Sequence, residues 1–416
     1  MENILSYVWR YSLLRHTPIR LCDGTVMEVV SPGAVRGEVD TVFYGSKIRI
    51  NGKVLAGSVA VYPSLPEEGK NFILYITEEE VAAEGDIPIL RLRIGMKVRE
   101  ELRRLGSKLE ELPCEESFTE LPEVFIADLY TSLALERLQS KSLRILDWVN
   151  LYHGDWEEVC YVSLARSLGF GVNSNPFELL ARNLPLKFLQ KHADSLFQIE
   201  ALLFGMAGFL VQGTQNGDNY YNRMVNEFSF LKNKFSLSPI DQSLWRFSGV
   251  RPTNFPHQRI AFLARLVYGG FSVFAEIIEA KDEAVLRNIF DLYLDDYWDI
   301  HYTFGIETPP SHKTLGRSAV DLLIINSVAP LLYSYSFVQQ RELYGDRAVA
   351  LLEKCRSEQN SIVRRFTSHG IVCDNALSSQ ALIELYNSYC VQRRCLVCRV
   401  GHRHIAVAMA GNVKSF

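Results

Sequence analysis

The spacing of apolar positions changes along the chain, and the changes divide it. Residues 2 to 14 place Leu5, Val8, Trp9 and Leu13 at helical intervals, and Thr17-Pro18 then stops the helix, because the residue before a proline is pushed out of the helical region. From Thr25 the period shortens: VMEVV, SKIRI, SVAVY, NFILYI and ILRLRI are of strand length, and in SKIRI the residues Ile48 and Ile50 share one face while Lys47 and Arg49 share the other. A small sheet is predicted. Asn51-Gly52 stands between two such runs, and both residues tolerate the positive φ of a type I′ turn, so residues 41 to 62 are predicted as a hairpin. A charged helix is expected over 96 to 112.

After the PCEESFTELPE stretch, a natural boundary, the period stays helical almost to the end. Helices are predicted over 124–151, 155–168, 176–183, 193–211, 218–235, 256–269, 272–280, 282–296, 318–336, 345–368 and 376–389. No period recurs, so a solenoid is not supported. The fold class expected is α+β: a small α/β domain over 1–120 followed by a larger all-helical domain over 121–416.

Length supports the division, since 416 residues exceed what one ordinary core organises. The longest apolar stretches, 196 to 211 and 322 to 333, are shorter than a bilayer span and carry polar residues or proline, so no membrane helix is expected. The first residues do not read as a secretory signal, and eight cysteines in so long a chain do not form a secreted disulfide scaffold. A cytoplasmic protein is expected.

The net charge of -4 conceals an asymmetry. Between Glu67 and Glu123 stand fifteen acids and eight bases, whereas after Glu384 there is no acid and Arg393, Arg394, Arg399, Arg403 and Lys414 add five positive charges. Guanidinium groups suit phosphate contacts, so Arg393, Arg394, Arg399 and Arg403 are the candidate nucleic-acid-binding residues. Pairing of these arginines with the acidic stretch of the same chain is the competing reading.

Cysteines in the same segment carry a second possibility. Cys390, Cys395 and Cys398 have the spacing C-x4-C-x2-C, and His402 and His404 follow. Three thiolates and His402 make a candidate tetrahedral zinc site; an iron–sulfur centre and plain reduced thiols are the alternatives. In the helical region Arg251, Asn254, His257 and His301 lie among prolines and aromatic residues and could line a ligand pocket, although buried His and Arg more often satisfy loop carbonyls. No glycine-rich phosphate loop, serine nucleophile elbow or paired-histidine metalloprotease motif occurs.

The hairpin and a series of later stretches carry a family resemblance. They are Gly154-Asp155-Trp156-Glu157, ARSLGFGVN at 165–173, RPTNFPHQR at 251–259, YWDIHYTFG at 297–305, LLIINSVAP at 322–330, SQALIELYNSYC at 379–390 and CLVCRVG at 395–401. Together with FYGSKIRING they resemble an uncharacterised bacterial domain-of-unknown-function family, DUF2851, whose N-terminal part is similar to the PD-(D/E)XK nuclease core. The resemblance implies an aspartate on the first hairpin strand and a glutamate and a histidine on the second. Here Val42, Ala60 and Tyr62 occupy those places. A divalent cation needs carboxylate oxygens to hold it, so the resemblance implies a nuclease-like shape without its catalyst. Glu38, Asp40, Glu67 and Glu68 are the acids nearest the hairpin that could form a relocated site. The function expected is non-catalytic nucleic-acid binding; the alternatives are a metal-dependent nuclease with relocated ligands and a protein-interaction scaffold.

Overall fold

A computed structural model describes residues 4–11, 19–35, 42–61, 72–80, 87–107, 114–211, 218–294, 296–392, 394–409 and 413–415. The chain forms two compact units, one of residues 1–126 with 385–416 and one of residues 127–384.

The first unit begins with α1 (Ile4–Arg10) and the strands β1 (Ile19–Arg20), β2 (Val26–Ser31), β3 (Ala34–Val35), β4 (Val42–Ile50), β5 (Lys53–Val61), β6 (Phe72–Thr77) and β7 (Ile89–Ile94). The helices α2 (Met96–Ser107) and α3 (Glu115–Thr119) follow. The predicted hairpin is present: β4 and β5 pair antiparallel from Ile50↔Lys53 outward, with Asn51 at φ 48° and Gly52 at φ 79° making the turn. The alternation of SKIRI also holds, with Ile48 buried and Lys47 and Arg49 exposed. Antiparallel pairing joins β2 to β4, and parallel pairing joins β5 to β6 and β6 to β7. Leu5, Val8 and Trp9 of α1, together with Phe43, Ile48, Val59, Leu74, Ile76 and Leu92 of the strands, form one core.

The second unit is helical, as the period of the sequence requires. Its helices are α4 (Glu123–Leu151, which starts in the first unit), α5 (Trp156–Leu168), α6 (Ser174–Asn183), α7 (Leu186–Gln190), α8 (Leu196–Met206), α9 (Asn219–Phe235), α10 (Pro256–Val267), α11 (Val273–Glu279) and α12 (Glu283–Asn288). A short two-stranded pairing of β8 (Tyr293–Leu294) with β9 (Lys313–Thr314) precedes α13 (Arg317–Leu323), α14 (Ala329–Gln339), α15 (Glu342–Lys354), α16 (Ser361–Thr367) and α17 (Ala376–Glu384). At its centre lies α5, apolar on nearly every side: Val159, Cys160, Tyr161, Val162, Leu164 and Ala165 are all fully buried. Asp155 caps it by accepting from the Glu158 N–H.

Several expected helices differ. The stretch 282–296 yields only α12 and then β8. The stretch 345–368 is two helices, because α15 stops at Cys355 and Asn360 caps α16 by accepting from the Val363 N–H. A helix of 23 residues, Arg317–Gln339, is long and apolar enough to cross a membrane, longer than its apolar stretch of sequence indicates; 67% of its apolar window is buried inside the protein, as in a core helix.

The last segment returns to the first unit, whereas the sequence reading placed it in the helical domain. After a wide turn at Leu385–Cys390 come α18 (Arg399–Met409) and β10 (Val413–Ser415). Ile405 of α18 is buried in the core of the sheet, and β10 pairs antiparallel with β7 through Val413↔Ile94 and Lys414↔Arg93. Burial of one apolar helix face and a free strand edge explain the return.

Candidate functional site

A cavity of about 480 Å³ opens in the helical unit. Its construction begins at Pro330. Proline has no N–H and crowds the carbonyl one turn earlier, and here the chain widens just before it into a π-helical turn, Ile324–Val328. The Ala329 N–H bonds Ile324 O within this turn, and Pro330 has no hydrogen to offer Ile325 O. That carbonyl is met by Lys141 of α4, whose Nζ donates to Ile325 O at 3.2 Å, to Asn326 Oδ1 at 2.8 Å and to Gln380 Oε1 at 2.6 Å. The three ammonium protons therefore have three acceptors.

The same ammonium group is electrostatically loaded. Burial, and then the Arg137 charge, push the Lys141 pKa down to about 7, against the pull of Glu358 and Glu384. Arg137 itself is held by Gln380 Oε1 at 2.7 Å and by Glu384 at 3.5 Å. Glu358 closes the arrangement, accepting from Asn326 Nδ2 at 3.2 Å and Asn360 Nδ2 at 3.4 Å.

Two more cations line the cavity, Arg144 and Arg166. Arg166 donates to Glu178 at 2.6 Å and Asn175 at 2.8 Å, yet its pKa is lowered by burial and by the Arg144 charge. Like charges thus oppose each other there. Arg144 is exposed and has no hydrogen-bond or ion-pair partner among the described residues. Apolar groups complete the wall, chiefly Trp148 and Phe170. Phe170 has φ 43°, in the left-handed region that bulky residues rarely adopt, and Gly171 beside it has φ 83°.

The expected site residues are distributed as follows. Arg399 and Arg403, one turn apart on α18, place their guanidinium groups 5.1 and 5.5 Å from the Phe125 ring centroid, and Arg394 lies 5.5 Å from the Tyr389 ring. All three are exposed, and Arg394 and Arg403 have no carboxylate partner among the described residues, so for these two the pairing with the acidic stretch is not seen. Arg393 lies outside the described residues.

Around the cysteines, no three of His, Cys, Asp and Glu come together to hold a metal ion among the described residues. Cys398 is buried, and burial together with Cys398 pushes the Cys395 thiol up. Cys390 ends the wide turn before this segment. His402 packs edge-on against Tyr11 at 5.2 Å and Tyr7 at 6.2 Å, with its pKa lowered by burial. His404 is held by Ser117 Oγ at 2.6 Å and Glu101 at 3.0 Å.

Val42 and Ala60 are direct cross-strand partners. Their neighbours Phe43 and Val59 face the core, so the Val42–Ala60 pair lies on the opposite face of the sheet. Two carboxylates at these places would stand side by side; two apolar side chains do so instead. Tyr62, Glu38, Asp40, Glu67 and Glu68 lie outside the described residues.

The proposed pocket residues of the helical region are spread among local contacts. His257 stacks on Phe209 at 4.4 Å, and burial pushes its pKa down to about 3, leaving a neutral ring in an aromatic nest. His301 stacks on Tyr297 at 3.9 Å and bonds Tyr297 O through Nδ1 at 2.8 Å. Asn254 accepts from Arg259, and Arg251 is exposed. The cavity beside Lys141 is elsewhere, lined by none of the four.

A family model described as a protein of unknown function, DUF2851, matches residues 70–361. The chain belongs to this family. No curated protein and no solved structure matches it. The DUF2851 match contains every described residue lining the cavity beside Lys141, from Lys141 to Asn360, and contains neither the Val42–Ala60 pair nor the terminal arginines. Sequence reasoning missed this cavity. Its signal lay in stretches that carry the DUF2851 resemblance, since ARSLGFGVN supplies Arg166, Phe170 and Gly171, and LLIINSVAP supplies Asn326 and Pro330.

Proposed function

We propose that the protein binds nucleic acid without cleaving it, through the basic end of the chain, and that its sheet unit keeps the form of a PD-(D/E)XK nuclease core without the acids. The observation that carries the reading is the guanidinium pair of Arg399 and Arg403, exposed on α18 and stacked over Phe125. Stacking on one half-buried ring holds the two charges one helical turn apart, so less side-chain freedom is given up when phosphates are met. Lys414 adds to the same sign, and no acid follows Glu384 in the sequence.

The hairpin supports the non-catalytic half of the reading. A metal-dependent phosphodiesterase needs at least two oxygen ligands converging on its ion, and the cross-strand pair nearest that role is Val42 and Ala60. Neither can bind a cation.

Fluorescence anisotropy with labelled single-stranded and duplex oligonucleotides tests the reading on the whole chain. Binding is expected to weaken with salt, and Arg399→Ala/Arg403→Ala to reduce the log–log salt slope by roughly 0.7–0.9 for each phosphate that the variant no longer neutralises. Equal affinity and slope in wild type and double variant would refute the assignment. Magnesium-dependent cleavage by the purified protein would refute the non-catalytic half of it.

A further inference from the structure

We propose that the cavity of the helical unit is a binding site for a small phosphomonoester with an aromatic body, of the nucleoside monophosphate class. The proposal concerns the second unit only and is independent of the nucleic-acid reading. Arg144 and Arg166, with Lys141 beside them, bring positive charge to one cavity whose only lining carboxylate among the described residues is Glu358. Mutual repulsion of Arg144 and Arg166 is relieved by an anion placed between them. Arg144 is the open fork, because its guanidinium has no partner among the described residues, while Arg166 is braced by Glu178 and Asn175. Lys141 contributes charge rather than a hydrogen bond, since its protons already go to Ile325, Asn326 and Gln380.

A phosphate group fits this distribution better than a carboxylate. Its three terminal oxygens and double charge can use the open Arg144 fork, the Arg166 guanidinium beside its ion pair with Glu178, and the lining hydroxyls of Ser167 and Ser174, whereas a carboxylate offers two oxygens and a single charge. The aromatic body follows from the rest of the wall. Trp148 and Phe170 offer ring surface, and a volume of about 480 Å³ lies in the range of small-ligand pockets, more than a bare ion requires. Glu358 keeps lone pairs for a ligand hydroxyl or amino group beyond those used by Asn326 and Asn360.

Local backbone irregularity concentrates at the same place. The π-helical turn presents Asn326, and the left-handed Phe170 presents its ring; such departures from regular backbone cluster at functional sites.

Isothermal titration of the full chain with AMP, UMP, adenosine and inorganic phosphate decides the question, beside the Arg144→Ala and Arg399→Ala/Arg403→Ala variants. At least one mononucleotide is expected to bind, with its affinity abolished when the phosphate is removed. Arg144→Ala is expected to weaken it roughly ten- to a hundred-fold, the scale of removing a charge-assisted hydrogen bond. Arg144 is exposed and unpaired among the described residues, so the variant is expected to melt with the wild type. The terminal double variant is expected to bind mononucleotide normally, which separates failure of this site from failure of the nucleic-acid reading. Absence of mononucleotide binding at millimolar concentration, equal binding of adenosine and AMP, or unchanged affinity in Arg144→Ala would each overturn the proposal. So would binding of a 5′-phosphorylated oligonucleotide at this site without any mononucleotide affinity.

Discussion

Lys141 is where a backbone defect and a buried charge meet. Pro330 deprives Ile325 O of a helical donor, and the lysine replaces it while also satisfying Asn326 and Gln380. Lys141→Met removes the donor to Ile325 O and Asn326 Oδ1, while Gln380 Oε1 keeps Arg137, and is expected to cost about 1–3 kcal/mol, read as a lower urea midpoint. The pH dependence has a definite sign. With the folded pKa near 7 and the usual value at 10.5, the unfolded chain holds more protons between these limits, so this group's contribution to stability rises as pH climbs through that window. Below it, the cost of holding the buried ammonium is fully present. Urea melts at about pH 6 and about pH 9 are therefore expected to show a stability increment in wild type that Lys141→Met lacks, and an identical increment in the variant would contradict the assignment. Nothing in the residue itself announced this role: a lysine in SKSLR reads as solvated helix surface until Pro330 and Gln380, remote in sequence, are brought to it.

At the scale of elements, local rules worked where one rule sufficed. Asn51-Gly52 fixed its turn because the two backbone conformations it needs are available to few other residues. Alternation in SKIRI placed Ile48 inside because the side-chain period of a strand is two. The boundary between α15 and α16 failed because a run of apolar period hides a cap, and Asn360 acts as one only in its folded setting. For α18 the decisive approach is equally local in space and invisible in sequence. A Cβ on Gly401 would collide with the Cys395 backbone carbonyl, so the cysteine turn lies flush on this helix. Gly401→Ala forces the two apart and is expected to destabilise the sheet unit by about 1–3 kcal/mol. Oligonucleotide affinity should fall with it, since Arg399 and Arg403 ride on the same helix. Wild-type melting and affinity in Gly401→Ala would contradict the close approach.

Across the whole molecule the main departure is the path of the chain. Residues 385–416 rejoin the unit in which the chain began, closing the edge of β7 with β10. An exposed edge strand recruits other chains, so deleting residues 413–416 is expected to raise light scattering on heating relative to the full chain. Unchanged scattering would indicate that the edge is covered in another way. The sequence by itself determined most element types, the sheet region followed by the helical one, the hairpin and the family, because each is written in short-range periodicity, turn chemistry or contiguous residue stretches. Only the tertiary structure decided which cations share a cavity and which unit owns the terminal arginines. The first depends on the wall from Leu322 to Asn360 meeting the wall from Lys141 to Ser174, and the second on contacts such as His404 with Glu101; both join residues more than a hundred positions apart, and no period in a sequence encodes those.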